Sequence, residues 1–185
     1  MSRTAVALER LAIAAASVAL SVGLIAVLSG FFTSRDAAGV AAGSAPGQAF
    51  RDLGHRALAN GQARPAYNSS PPTSGPHRPQ PISRDGVAID DDQLLTSLQA
   101  GDVVIFYASR TPPAGLSALA RQVAGRFSPA LAAAGQAVIL APRPGVDGIV
   151  AVAWAHMQRV NSAGDPALRA FMTYWLGRGA TGRCC

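Results

Sequence analysis

The sequence predicts an α+β protein: an N-terminal transmembrane helix, then a small domain whose three- to four-stranded, mainly antiparallel sheet carries packed helices. Three observations predict it. Residues 11–32 form one long apolar run without a charge. Beyond Asp90, stretches of helical periodicity alternate with β-branched apolar runs. Two of those runs are joined by a short turn, which favours antiparallel neighbours over a doubly wound parallel sheet.

The apolar run, "LAIAAASVALSVGLIAVLSGFF", has 22 residues. As a helix it would be about 33 Å long, enough to cross a hydrocarbon layer of about 30 Å. The apolar centre of a cleaved signal is shorter, about 7 to 15 residues. Length therefore favours a retained anchor, although the small residues "VAAGSA" at 40–45 offer a cleavage alternative. A buried core helix is the third reading. Arg3 and Arg10 precede the run, whereas Arg35 follows it beside Asp36. Arginine favours the cytoplasmic side, so residues 1–10 are expected inside the cell. Residues 33–48, "TSRDAAGVAAGSAPGQ", are small and Gly-rich and read as a flexible linker. Residues 49–182 then form an extracytoplasmic domain, and 183–185 a tail. The expected location is the cell membrane, single-pass, with the bilayer as the partner of residues 11–32.

Within the domain, "AFRDLGHRALAN" (49–60) suggests a short helix ended near Gly54, followed by a long loop to Arg84. "DDQLLTSLQA" spaces Leu94, Leu95 and Leu98 as a helix does, with Asp91 or Asp92 as cap and Gly101 as stop. "DVVIFYAS" is a strand by its β-branched and aromatic content. "TPPAG" turns the chain into the helical stretch "LSALARQVAGRF", and Pro129 begins another turn of helix through Ala134. "QAVILAP" (136–142) is a second strand and "RPGVDG" a turn. "IVAVAWAHMQRV" (149–160) reads as one strand bent in its middle, so the runs beginning near Val138 and Val150 are expected to form a hairpin. "DPALRAFMTYWLGRG" is a helix capped by Asp165, with Pro166 in its first turn and Gly177 near its stop. Its Leu168, Phe171, Met172, Trp175 and Leu176 make a core-facing side.

Composition excludes several functions. The net charge is +6, and all sixteen basic residues are arginines, scattered singly. Nucleic-acid binding needs a concentrated basic face, which is missing. No Gly-rich phosphate loop follows a strand. Cys184 and Cys185 are adjacent, not in a Cys-x-x-Cys arrangement, so redox catalysis has little support. In an oxidising exterior they would bridge each other, bridge two chains, or stay free. The oligomeric state is open.

The stretch "YNSSPPTSGPH" (67–77) is the most distinctive. Pro71 and Pro72 fix their own φ and extend their predecessors. Tyr67, Thr73, Ser74, Gly75 and Pro76 complete an ordered loop. Ser74 and His77 lack the Gly-x-Ser-x-Gly elbow of a hydrolase. His77 is either a structural ring holding a loop carbonyl or a ligand and proton carrier. The chain has three histidines, His55, His77 and His156, and these are the candidate metal ligands, with Met157 beside His156 for a soft metal. Asp90, Asp91 and Asp92 read as a solvated helix start.

The same stretch resembles the hallmark of the bacterial domain-of-unknown-function 3105 family, and so do "GHR" (54–56), "LLTSLQAGDVVIFY", "VILAPRPG", "AVAWAHMQRV" and "LRAFMTYW". The likeness spans roughly residues 50 to 182. It implies a membrane-anchored or secreted bacterial protein. It also implies a His-x-x-Glu-His set, resembling a metal site, just before the first strand. Those positions are Thr96, Gln99 and Ala100 here, a divergence that removes the imidazoles and the carboxylate. The expected function is a non-enzymatic interaction or envelope-associated role, with an envelope protein as one partner class. The alternative is a metal-binding or redox-active domain using His55 and His77, with a transition metal as cofactor instead of none.

Overall fold

The computed structural model describes residues 45–180. The expected anchor at 11–32, most of the linker and the two cysteines lie outside the described residues. Among the described residues, no helix is long and apolar enough to cross a membrane.

The fold is α+β, with five strands and four helices among the described residues. In chain order they are β1 (Gln48–Ala49), α1 (Asp91–Ala100), β2 (Val103–Tyr107), α2 (Leu116–Ala124), α3 (Pro129–Ala133), β3 (Val138–Pro142), β4 (Ile149–Ala153), β5 (His156–Val160) and α4 (Pro166–Trp175). Strand order across the sheet is β1-β5-β4-β2-β3. Every neighbouring pair is antiparallel except β2 with β3.

β2 takes a central place because all five of its side chains are buried. A strand apolar on both faces needs cover on both faces. On one face Val103, Ile105 and Tyr107 join Leu140, Ile149 and Ala151 under α2 and α4, through Leu116, Leu119, Leu168, Phe171 and Met172. On the other, Val104 and Phe106 join Ile139, Val150 and Val152 under α1, through Leu94, Leu95 and Leu98. Ile82, Trp154 and Met157 close that second layer.

This arrangement corrects the expected hairpin. β3 does not pair with β4, because β2 lies between them: Ile105 faces Leu140 on one side and Ala151 on the other. Residues 143–148 therefore cross the end of β2, a distance of about two strand spacings, near 10 Å. The amide of Arg143 donates to the Tyr107 carbonyl at 2.9 Å and starts that crossing. The single bent strand at 149–160 is also corrected. It is two strands, β4 and β5, paired from Ile149↔Val160 to Ala153↔His156 around a two-residue turn, Trp154-Ala155. The hairpin of this domain is thus within that run.

Two further corrections concern the N-terminal part. Residues 49–60 form no helix; Gln48 and Ala49 pair with Met157 and His156 instead. Residues 45–48, assigned by sequence to the linker, take part in the fold, since the Pro46 carbonyl accepts from Trp175 Nε1 at 2.9 Å. At α1 the cap is Asp90, whose Oδ1 accepts from the Gln93 amide at 2.8 Å while Gln93 Oε1 accepts from the Asp90 amide. Asp91 reaches Arg143 at 2.9 Å. Asp92 is buried rather than solvated. Three consecutive carboxylates leave the helix in different directions and do different things.

Candidate functional site

Residues 67–77 form a strap whose polar groups are almost all engaged by backbone. The Ser70–Pro71 peptide is cis. Ser69 Oγ accepts from the Thr73 amide at 3.1 Å. Ser74 Oγ accepts from the Leu53 amide at 3.0 Å. Asn68 Nδ2 donates to the Arg51 carbonyl at 2.7 Å. Tyr67 donates its hydroxyl to the Pro76 carbonyl at 2.9 Å, and burial, then Asp92, pushes that phenol above its ordinary pKa, so it stays a donor. At Gly75, φ is +135° and an added Cβ would sit 2.8 Å from the Tyr67 ring, so only glycine fits there.

His77 is 1 % exposed, and a carbonyl can only accept, so its Nδ1–H donates to Gly75 O at 2.8 Å. Its own backbone bridges Arg56 and Leu58. Ser74 and His77 are therefore each bound to backbone and do not form a nucleophile–base pair.

The strap grips the β4–β5 turn. Ala155 has φ of +58°, a left-handed conformation that costs a non-glycine residue about 1–2 kcal/mol. It persists because its amide donates to the Thr73 carbonyl at 2.9 Å and its carbonyl accepts from the Phe50 amide at 2.8 Å. Strained residues held this firmly concentrate at working sites. Arg159 adds a bond from Nη2 to the Ser70 carbonyl at 2.9 Å.

Beside this turn lies a cleft of about 520 Å³, lined by Asp52, Trp154, Ala155, His156, Trp175 and residues 177–180. It contains both tryptophans of the chain. Trp154 Nε1 donates to Asp52 Oδ2 at 3.0 Å, and the other Asp52 oxygen accepts from the Gly54 amide at 2.8 Å. His156 stacks on Trp175 with ring centres 3.9 Å apart. Its Nδ1–H donates to the Trp154 carbonyl at 3.0 Å, which fixes the ring. Arg178 holds its guanidinium 4.5 Å above the Tyr174 ring.

Of the sequence candidates, only His156 lines the cleft. His55 meets Trp154 edge-on with ring centres 6.1 Å apart, and His77 is enclosed in the strap. Among the described residues, no three His, Cys, Asp or Glu side chains come together as a metal ion requires. The position where the family resemblance implies the first imidazole carries Thr96, whose hydroxyl donates to Asp92 O at 2.7 Å and accepts from the Gln80 amide at 2.9 Å. The donors among the described residues do not gather into a metal centre. Asp52, Trp175 and Arg178 are the site residues that sequence reasoning missed. The sequence pattern places Trp175 on the core-facing side of its helix, where it does pack against the core while also lining the cleft, and Asp52 and Arg178 carry no spacing signal.

Residues 60–182, well over half of the chain, match the family described as protein of unknown function DUF3105. The chain belongs to the DUF3105 family. No curated protein and no solved structure matches it. The DUF3105 match contains the strap, the β4–β5 turn, Trp154, Trp175 and Arg178. Asp52 and the "GHR" segment at 54–56 precede it.

Two buried carboxylates complete the electrostatics of this DUF3105 domain. Burial alone would push Asp92 up, but Arg64 and then the Arg78 amide outweigh it and hold the carboxyl below its ordinary range. Arg64 Nε and the Arg78 amide donate to Oδ1 at 3.2 and 3.1 Å, tying the long loop on both sides of the strap to α1. Asp102, at the entry to β2, has no counter-ion among the described residues: Oδ1 accepts from the Ala137 amide at 2.8 Å and Oδ2 has no partner among them. Burial pushes this carboxyl up to about 7, against the pull of that amide.

Proposed function

We propose that this chain is a membrane-tethered, extracytoplasmic binding domain that acts without catalysis. Its ligand site is the cleft at Trp154, His156 and Trp175, and the hallmark strap serves to hold that cleft in shape. One observation carries the reading: the Thr73 carbonyl of the strap holds the left-handed Ala155 beside the cleft, while Ser74 and His77 are both engaged by backbone. A loop that buries its Thr73, Ser74 and His77 supports a scaffold role. Pockets lined by aromatic side chains with a few polar groups are the common form of small-molecule sites.

Tethering is supported by the uncharged run at 11–32 with Arg3 and Arg10 before it. A reporter active only outside the cytoplasm, fused after Cys185, tests the topology. Activity in the membrane fraction is expected. An inactive reporter, with activity from a cytoplasmic one, would contradict the tether. For the site itself, cross-linking from a photoreactive residue placed at Arg178 is expected to capture an envelope component, and the same residue at Arg110 is not.

A further inference from the structure

We infer that the cleft binds a neutral saccharide, a deduction that rests on the cleft being the ligand site. Among the described residues the lining carries one carboxylate, Asp52, and one guanidinium, Arg178, which balance each other in formal charge. An organic cation would favour an aromatic cage with unbalanced negative charge, and Arg178 opposes that. A phosphate or carboxylate ligand would favour paired arginines, and Asp52 opposes that. What remains is a ligand that is uncharged, has an apolar face and carries several hydroxyls.

A pyranose ring meets those terms. Its C–H face can lie on an aromatic ring, and the stacked pair of part-exposed rings, Trp175 and His156, lines the cleft. Its hydroxyls both donate and accept. Asp52 accepts one hydrogen bond on each oxygen from the protein, and each oxygen has a second lone-pair site for a hydroxyl donor. Stacking on Tyr174 engages the face of the Arg178 guanidinium and leaves its in-plane N–H groups as donors. A cleft of about 520 Å³ has room for one or two sugar rings. Both indole N–H groups are already bonded within the protein, to Asp52 and to Pro46, so the tryptophans contribute surface rather than donors.

The test uses the full chain in a detergent without a sugar headgroup. Saturation-transfer NMR and tryptophan fluorescence are recorded against N-acetylglucosamine, its dimer, choline and glycine. Saturable binding of the sugars in roughly the millimolar range is expected. Arg178→Ala, at an exposed position, should weaken it about tenfold, because a hydrogen bond to a charged group is lost, and lower Tm only slightly through the lost contact with Tyr174. Trp175→Ala should abolish it. Sedimentation with insoluble cell-wall glycan distinguishes a polymeric source from a free sugar. Saturation by choline or glycine instead would overturn the saccharide and leave the cleft standing as a ligand site. Failure of every sugar, soluble or polymeric, to bind would overturn the inference, and sugar binding that survives both variants would overturn it too. The site reading falls separately if cross-linking at Arg178 captures nothing.

Discussion

Asp102 offers a quantitative test of how this domain is built. Its carboxyl is 1 % exposed, one oxygen has no partner among the described residues, and burial raises its pKa from 3.8 to about 7. A carboxyl that holds its proton more tightly when folded stabilises the fold below its unfolded pKa. That contribution is lost as pH rises through the folded value. The window therefore runs from about pH 4 to about pH 7. At about 1.36 kcal/mol per pH unit the full loss approaches 4 kcal/mol, and about 2.5 kcal/mol of it falls between pH 5 and pH 8. Asp102→Asn keeps an oxygen for the Ala137 amide and cannot ionise. The difference in unfolding free energy between variant and wild type should thus move by about 2.5 kcal/mol in the variant's favour from pH 5 to pH 8. For a domain of this size that is about 8 °C in Tm, readable by circular dichroism. Comparing the two proteins at each pH cancels every other titrating group. A difference that stays flat across this range would refute the burial of an uncompensated carboxyl at the start of β2.

Other perturbations probe the strap, its anchors and the cleft. Asp92→Asn breaks the pairs of a buried carboxylate with the part-exposed Arg64 and Arg78 and should cost about 1–2 kcal/mol in urea unfolding at pH 7. Because the Asp92 carboxyl is held below its ordinary range, that cost should shrink as pH falls through the folded pKa. Ala155→Gly relieves the left-handed backbone and should leave stability unchanged or raise it by up to about 1 kcal/mol, whereas Ala155→Val should lower it by more than about 1 kcal/mol. The chain, purified without added metal, should unfold at a temperature indifferent to chelators. Stoichiometric zinc or copper lost on His77→Ala would contradict the scaffold role given to that histidine.

Much of the fold was legible because it follows local rules. β2 was visible as an unbroken β-branched run, and α4 through Asp165 and Pro166, both of which sit where capping chemistry places them. The errors arose where distant partners decide. Nothing local shows that β2 inserts between β3 and β4, since strand neighbours are chosen by burial across the sheet. The Trp154-Ala155 turn has no Gly, Asn, Asp or Pro to mark it. Its geometry is imposed by Thr73 and Phe50, far away in sequence. Residues 49–60 lost their helix to similar competition, because Asp52 serves Trp154, 102 positions later. For the site, the hallmark string was read as an ordered loop from its prolines, and the geometry gives it a place against the hairpin turn. The cleft joins residues near 52, 155 and 178 with no shared spacing, so only the folded chain brings them together.

The direct test of the strap is amide hydrogen exchange at Ala155, measured in the wild type and in Gly75→Ala. If Thr73 holds that turn, the Ala155 amide exchanges slowly, near the rate set by global unfolding, and Gly75→Ala speeds it well before the central strand β2 is affected. Fast exchange at Ala155 in the wild type, or slow exchange that the substituted loop leaves untouched, would contradict a strap that shapes the cleft.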